Sequence, residues 1–117
     1  VQAHKHLTAY LEDEGFEVER GYKGIETAFR ASYKNGKGRV FAFNSEYDAL
    51  PGIGHACGHN LIAVSGVAAA IGARAGMKKA GIKGEVVLIG TPAEEGGVGK
   101  GVLIERGGCE SPRCVSC

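Results

Sequence analysis

The apolar positions fall into a few short periodic runs. From Ala3 to Glu14, Leu7 and Leu11 stand four apart with Tyr10 beside them, while Lys5, Thr8, Glu12 and Asp13 occupy the other side. That spacing predicts a surface helix ended by Gly15. Phe16 to Glu19 is a short strand. Ile25 to Tyr33 alternates Ile25, Thr27, Phe29, Ala31 and Tyr33 against Glu26, Ala28, Arg30 and Ser32, the pattern of a half-buried strand near a sheet edge. Asn35-Gly36-Lys37-Gly38 supplies a turn and Arg39 to Asn44 resumes as a strand, so an antiparallel hairpin is expected between the two. Arg30 and the lysines about the turn are expected to be solvated and to protect the edge.

Further on, Asn60 is placed to cap a helix running to about Ala75, with Leu61, Ile62, Val64, Val67, Ala68 and Ile71 around its circumference. Gly76 to Gly84, carrying Lys78, Lys79 and Lys83, reads as a frayed end and connection. Glu85 to Gly90 is a continuous aliphatic run, as found in strands buried on both faces. Gly99 to Glu105 begins another helix. The order strand, loop, helix, strand from Val40 to Ile89 is a βαβ unit, whose strands must be parallel. The fold class is therefore α/β, a mixed sheet with an antiparallel hairpin and a central βαβ unit.

Composition adds one departure from the ordinary. Twenty glycines exceed an average usage of about 7%, and they cluster at Gly52 to Gly58 and Gly96 to Gly101. The 117 residues are 44% hydrophobic with a net charge of +1, enough for one small core and without the charge excess that nucleic acid requires. No run approaches the roughly 18 to 20 apolar residues of a membrane span; the longest, Leu61 to Ala73, is expected to be a buried helix. The chain opens at Val1 and is expected to be processed or a fragment. Its compartment stays open, because four cysteines, three of them at the C-terminus, form no disulfide framework.

The candidate chemistry lies in the loop Asn44 to Asn60, which holds Glu46, Asp48, His55, Cys57 and His59. In a βαβ unit the loop leaving the first strand and the end of the second share the carboxyl edge of the sheet. Glu94 and Glu95 follow the second strand, so the two acidic groups should meet in one cleft. Cys57 and His59, one glycine apart, offer a thiolate and an imidazole to one ion if the loop turns at Gly58; that donor set favours zinc, with Mn2+ or Co2+ as alternatives once carboxylates join. Of Glu94 and Glu95, one could bind the metal while the other takes a proton from water activated by it. Asp48 suits orienting a histidine or bridging metals, against an ordinary role as a turn cap. Taken singly, each residue has a plainer reading: Cys57 as a small buried hydrophobe, His59 as a core histidine, Glu94 and Glu95 as a solvated loop. His55 is left between substrate-facing and structural. His4 and His6, two apart on a helix, diverge and are expected to be solvated.

Ser45-Glu46-Tyr47-Asp48-Ala49-Leu50-Pro51, His55-Ala56-Cys57-Gly58-His59-Asn60 and Thr91-Pro92-Ala93-Glu94-Glu95 together resemble the zinc metallopeptidase family of aminoacylase, glutamate-carboxypeptidase-type enzymes and N-acyl-amino-acid amidohydrolases. The likeness is nearest to its cysteine-bearing branch, among dipeptidases of β-alanyl-lysine-type peptides and p-aminobenzoyl-glutamate hydrolases. It implies Cys57, His59 and Glu95 as metal ligands, Glu94 as general base and Asp48 as the supporting acid. Whether Glu46 or Asp48 contacts the metal is left open. The implied reaction is hydrolysis of an amide bond in a dipeptide or N-acyl amino acid, with no nucleic-acid or membrane partner. A complete family member is expected to carry two ions and to dimerise through an inserted lid domain. The family's later ligand histidines and lid are lacking here, since no histidine follows His59. Residues 1–107 are therefore expected to form a partial catalytic domain; the alternative is a catalytically incomplete fragment that keeps only part of the metal site and is at most a metal- or partner-binding module. Residues 108–117 form a divergent tail. Its Cys109, Cys114 and Cys117 mimic an iron–sulfur spacing that needs four cysteines, so no cluster is expected there.

Overall fold

The computed structural model describes residues 1–94 and 99–108. Among them, helix α1 (Gln2–Asp13) leads into strands β1 (Glu17–Arg20), β2 (Phe29–Asn35) and β3 (Arg39–Glu46). Helix α2 (His59–Ala80), strand β4 (Gly84–Thr91) and helix α3 (Gly99–Glu105) follow. A 3-10 turn, Tyr22–Gly24, links β1 to β2. The four strands make one mixed sheet in the order β1-β2-β4-β3.

The aliphatic run of β4 explains that order. Val86, Val87, Leu88 and Ile89 are all buried, and a strand buried on both faces is best satisfied in the middle of a sheet. Val86 and Leu88 face a core built with Leu11 of α1 and Ala63, Val67, Ala70 and Met77 of α2. Val87 and Ile89 face the opposite way, toward Tyr22, Ala28 and Leu103 of α3. Period-two alternation thus gives β4 two separate cores.

β4 pairs in parallel with β3 and antiparallel with β2. The expected hairpin between β2 and β3 is corrected accordingly: the two strands run in opposite directions, but β4 lies between them. The antiparallel neighbours that follow one another in the chain are β1 and β2. Residues 36–38 cross over the start of β4 to reach β3. Two strand spacings are about 9.6 Å, within reach of the four Cα steps from Asn35 to Arg39. The crossing is close, for a Cβ on Gly38 would lie 2.1 Å from the Lys83 carbonyl oxygen. β2 is consequently interior, and Arg30, expected to be solvated at an edge, instead donates to Glu85 at 2.6 Å and to Ser32 Oγ at 3.0 Å.

The bounds of α2, and one residue on α1, differ from expectation in an informative way. α2 begins at His59 after Gly58, not after a capping Asn60, and runs on past Ala75 to Ala80. Buried Met77 holds the added turn against the core, Gly81 closes it by donating to the Met77 carbonyl, and Lys78 and Lys79 sit where the helix dipole favours cations. At 22 residues α2 meets the length and composition of a membrane span, a test that core helices also pass; here its Ala63, Val67 and Ala70 pack on the sheet. On α1, His4 is half-buried rather than fully solvated. It lies four residues before buried Thr8 and seven before buried Leu11, so its ring turns inward, edge-on to Phe29 at 6.0 Å between centroids. His6 is exposed as expected.

Candidate metal centre

The register of β3 against β4 sets up the site. Glu46 pairs with Thr91, so both strands end at the same level, and Thr91 Oγ1 fastens them by donating to Asn44 Oδ1 at 3.1 Å. Three residues beyond Thr91 comes Glu94. The turn between them passes through Ala93 in a left-handed conformation (φ 57), a backbone state that costs a non-glycine residue about 1–3 kcal/mol and collects at functional sites.

From the other side α2 delivers His59. The helix lies close on the end of β3, where Gly66 faces Ser45 and a Cβ on it would stand 2.6 Å from Ser45 Oγ. Ser45 Oγ in turn lies 3.2 Å from the carbonyl oxygens of both Ile62 and Ala63. Beginning the helix at His59 aims its ring, with only 5% of the side chain exposed, between the strand ends.

Three acids surround that ring. Asp48 Oδ1 lies 3.0 Å from Nδ1. On the far side of the imidazole, Glu46 Oε2 is 3.4 Å and Glu94 Oε2 is 4.0 Å from Nε2. Glu46 and Asp48 reach the same ring because Tyr47 between them turns the other way, stacking on Phe29 at 5.9 Å and donating its hydroxyl to the Thr27 carbonyl. Burial, with the Asp48 charge adding to it, raises the Tyr47 phenol well above its ordinary pKa, so it stays a neutral structural donor.

Glu46, His59 and Glu94 each present a donor atom, all within 4.8 Å of one another. One imidazole and two carboxylates form a chemically suitable donor set for a divalent ion. Asp48 completes the fit, since a carboxylate on Nδ1 fixes the tautomer that leaves Nε2 as the donor atom. Cys57 and His55 are exposed in the preceding loop. Glu95 lies outside the described residues, as do Cys109, Cys114 and Cys117 of the tail. Sequence reasoning missed Lys100, whose ammonium pairs with Glu46 Oε1. Its signal was positional: α3 begins only eight residues beyond Thr91 at the carboxyl end of β4, near enough for its first turn to lie at the same edge.

Residues 42–115, which include Glu46, Asp48, Cys57, His59, Glu94 and Glu95, match the model of peptidase family M20/M25/M40. The chain belongs to this family. It is similar to the human Xaa-Arg dipeptidase, with 46% identity over 121 residues covering 90% of this chain and 28% of that protein. It is similar also to one of the subunits that make up the p-aminobenzoyl-glutamate hydrolase of Escherichia coli strain K12, with 38% identity over 120 residues, 88% of this chain and 25% of the relative. The chain thus spans about a quarter of the length of these curated relatives. Among solved structures it resembles a Bacillus subtilis protein described as a dinuclear metal binding peptidase from the M20 family, with a TM-score of 0.74 and 30% identity over 94% of this chain and 34% of that one. The mixed α/β architecture expected from the hydrophobic pattern is that of this family.

Proposed function

We propose that the chain forms the first half of the metal centre of an amide hydrolase acting on dipeptides or N-acyl amino acids. The observation that carries this reading is the convergence of Glu46, His59 and Glu94, with Asp48 behind His59. The named relatives, a dipeptidase and an aminobenzoyl-glutamate hydrolase, both cleave an amide, which supports the reaction class.

In this reading His59 holds the ion through Nε2, with Glu46 beside it and Cys57 and Glu95 as the further ligands that the motif implies. Zn2+ suits this mixture of imidazole, thiolate and carboxylate, with Mn2+ or Co2+ as alternatives. When bound, the ion supplies a Lewis acid that polarises the scissile carbonyl and lowers the pKa of water toward neutrality. Glu94, 41% exposed, is placed to accept a proton from attacking water and return it to the leaving amine. Asp48 holds the His59 ring in orientation throughout. Dimerisation belongs, in this reading, to complete family members.

A second reading is that this chain binds metal without turning substrate over. It is favoured by the donor set gathered among the described residues, Glu46, His59 and Glu94, which holds a single imidazole. Zinc stoichiometry by equilibrium dialysis, with hydrolysis assays on Xaa-Arg dipeptides and p-aminobenzoyl-glutamate, separates the two. Chelator-sensitive turnover by the 117-residue chain supports the first; one bound zinc without turnover supports the second. Zinc binding unaltered by His59→Ala would sink both.

A further inference from the structure

Lys100, the second residue of α3, reaches across the carboxyl edge of the sheet to Oε1 of Glu46. The other oxygen of that carboxylate is the one 3.4 Å from His59 Nε2. The Glu46 side chain is 11% exposed, and a carboxylate so far from water needs a compensating charge close by. Glu46, Asp48 and Glu94 crowd one imidazole, whereas Lys100 brings a full positive charge to the group. The ammonium is also the mobile partner. Its side chain is 45% exposed, so a long lysine stem can swing its head to water at small cost, while Glu46 is fixed at the end of a strand.

We propose that Lys100 is a positioning residue of the metal centre, a built-in counter-cation that holds Glu46 when no ion is bound and yields it when one is. The inference rests on the metal-binding reading above. A divalent ion drawn to Glu46 Oε2 and His59 Nε2 shares a carboxylate with the ammonium, and the two cations repel. By linkage, whatever factor the ion takes from the Lys100–Glu46 pair, Lys100 takes from the affinity for the ion. Glu94 and Lys100 are six residues apart in the chain, and both side chains reach the same carboxyl edge of the sheet.

Competition against a chromophoric chelator gives the zinc affinity of the full 117-residue chain and its variants. Lys100→Met is expected to bind zinc about tenfold more tightly, a coupling of about 1.4 kcal/mol. Lys100→Arg, which keeps the charge, is expected to match the unaltered chain. In a Glu46→Gln background, Lys100→Met should change affinity by less than about twofold, because the partner it acts through is gone. A second readout needs no variant: amine acylation of the unaltered chain, followed by mass spectrometry, should label Lys100 severalfold more when zinc is added. Unchanged or weaker zinc binding by Lys100→Met, or Lys100 labelling that zinc does not raise, overturns the role of Lys100 and leaves the metal-binding reading standing. Failure of the unaltered chain to bind zinc overturns both. Should Lys100→Met not fold, Lys100→Arg and the acylation readout decide.

Discussion

Asp48 Oδ1 stands 3.0 Å from His59 Nδ1, although the two residues leave different elements, Asp48 from the end of β3 and His59 from the first turn of α2. This contact decides which nitrogen of the imidazole faces the other acids. With Nδ1 donating to Asp48, Nε2 is the nitrogen turned toward Glu46 and Glu94. Asp48→Asn keeps the shape but removes the charge that fixes the tautomer, and is expected to weaken zinc binding about 10- to 100-fold. Chelator competition measures this directly, and unchanged circular dichroism would show that the loss is not one of folding.

The position of His4 makes stability sensitive to acid. Its ring rests against Phe29, its Nε2 is buried without a hydrogen-bond partner, and burial lowers its pKa below the ordinary 6.5. The folded state therefore binds the proton more weakly than the unfolded state. The stability contribution is whole above pH 6.5 and declines as pH falls from there through the folded pKa. Thermal melts from pH 7.5 to 5 should show this loss, and His4→Leu should flatten that part of the profile. A profile identical in His4→Leu would place the acid sensitivity elsewhere.

Gly66 and Gly72 lie on the same helix and should respond to alanine with opposite sign. A Cβ at Gly66 would stand 2.6 Å from Ser45 Oγ and 2.9 Å from Ser45 Cβ, whereas one at Gly72 meets nothing within 4 Å. Gly72→Ala should add roughly 1 kcal/mol through helix propensity. At Gly66 that gain is outweighed by an overpacking cost of about 1–3 kcal/mol, for a net loss of about 1 kcal/mol. In a domain of this size that is a fall in Tm of roughly 4–8 °C. Because Ser45 adjoins Glu46, Gly66→Ala should also weaken zinc binding, which Gly72→Ala should not.

Local signals made much of this architecture readable. The i,i+4 spacing of Leu7 and Leu11 located α1, the unbroken Val86–Ile89 run located a two-faced strand, and chain order alone made β3 and β4 parallel. The same topology brought Glu46, Asp48 and His59 toward Glu94. What escaped the sequence depends on which strands compete for a neighbour. Asn35 to Gly38 looks like a hairpin turn, and only the burial demand of β4 shows why that strand enters between β2 and β3. The last turn of α2 was hidden because Gly76 reads locally as a helix end, while the core contact of Met77 that secures the turn is long-range. Lys100 was hidden for a similar reason. Nothing near it in the chain points to Glu46, 54 residues earlier, until β3 and β4 are in register.

Zinc itself should act as a stabiliser, since a ligand that binds only the folded chain adds about 2.7 kcal/mol at a hundredfold excess over its Kd. At roughly 4–8 °C per kcal/mol, the Tm should rise by about 10–20 °C and return to its starting value on adding chelator. His59→Ala should abolish the rise, because it removes the imidazole to which Asp48, Glu46 and Glu94 all converge. Glu94→Gln separates two roles that one acid could play. A residue that only handles the proton can lose its charge without releasing zinc, so this variant should keep most of the zinc-induced rise while losing any measured turnover. Loss of the rise in Glu94→Gln would instead make Glu94 a ligand, and would pass the proton-transfer role to its neighbour Glu95.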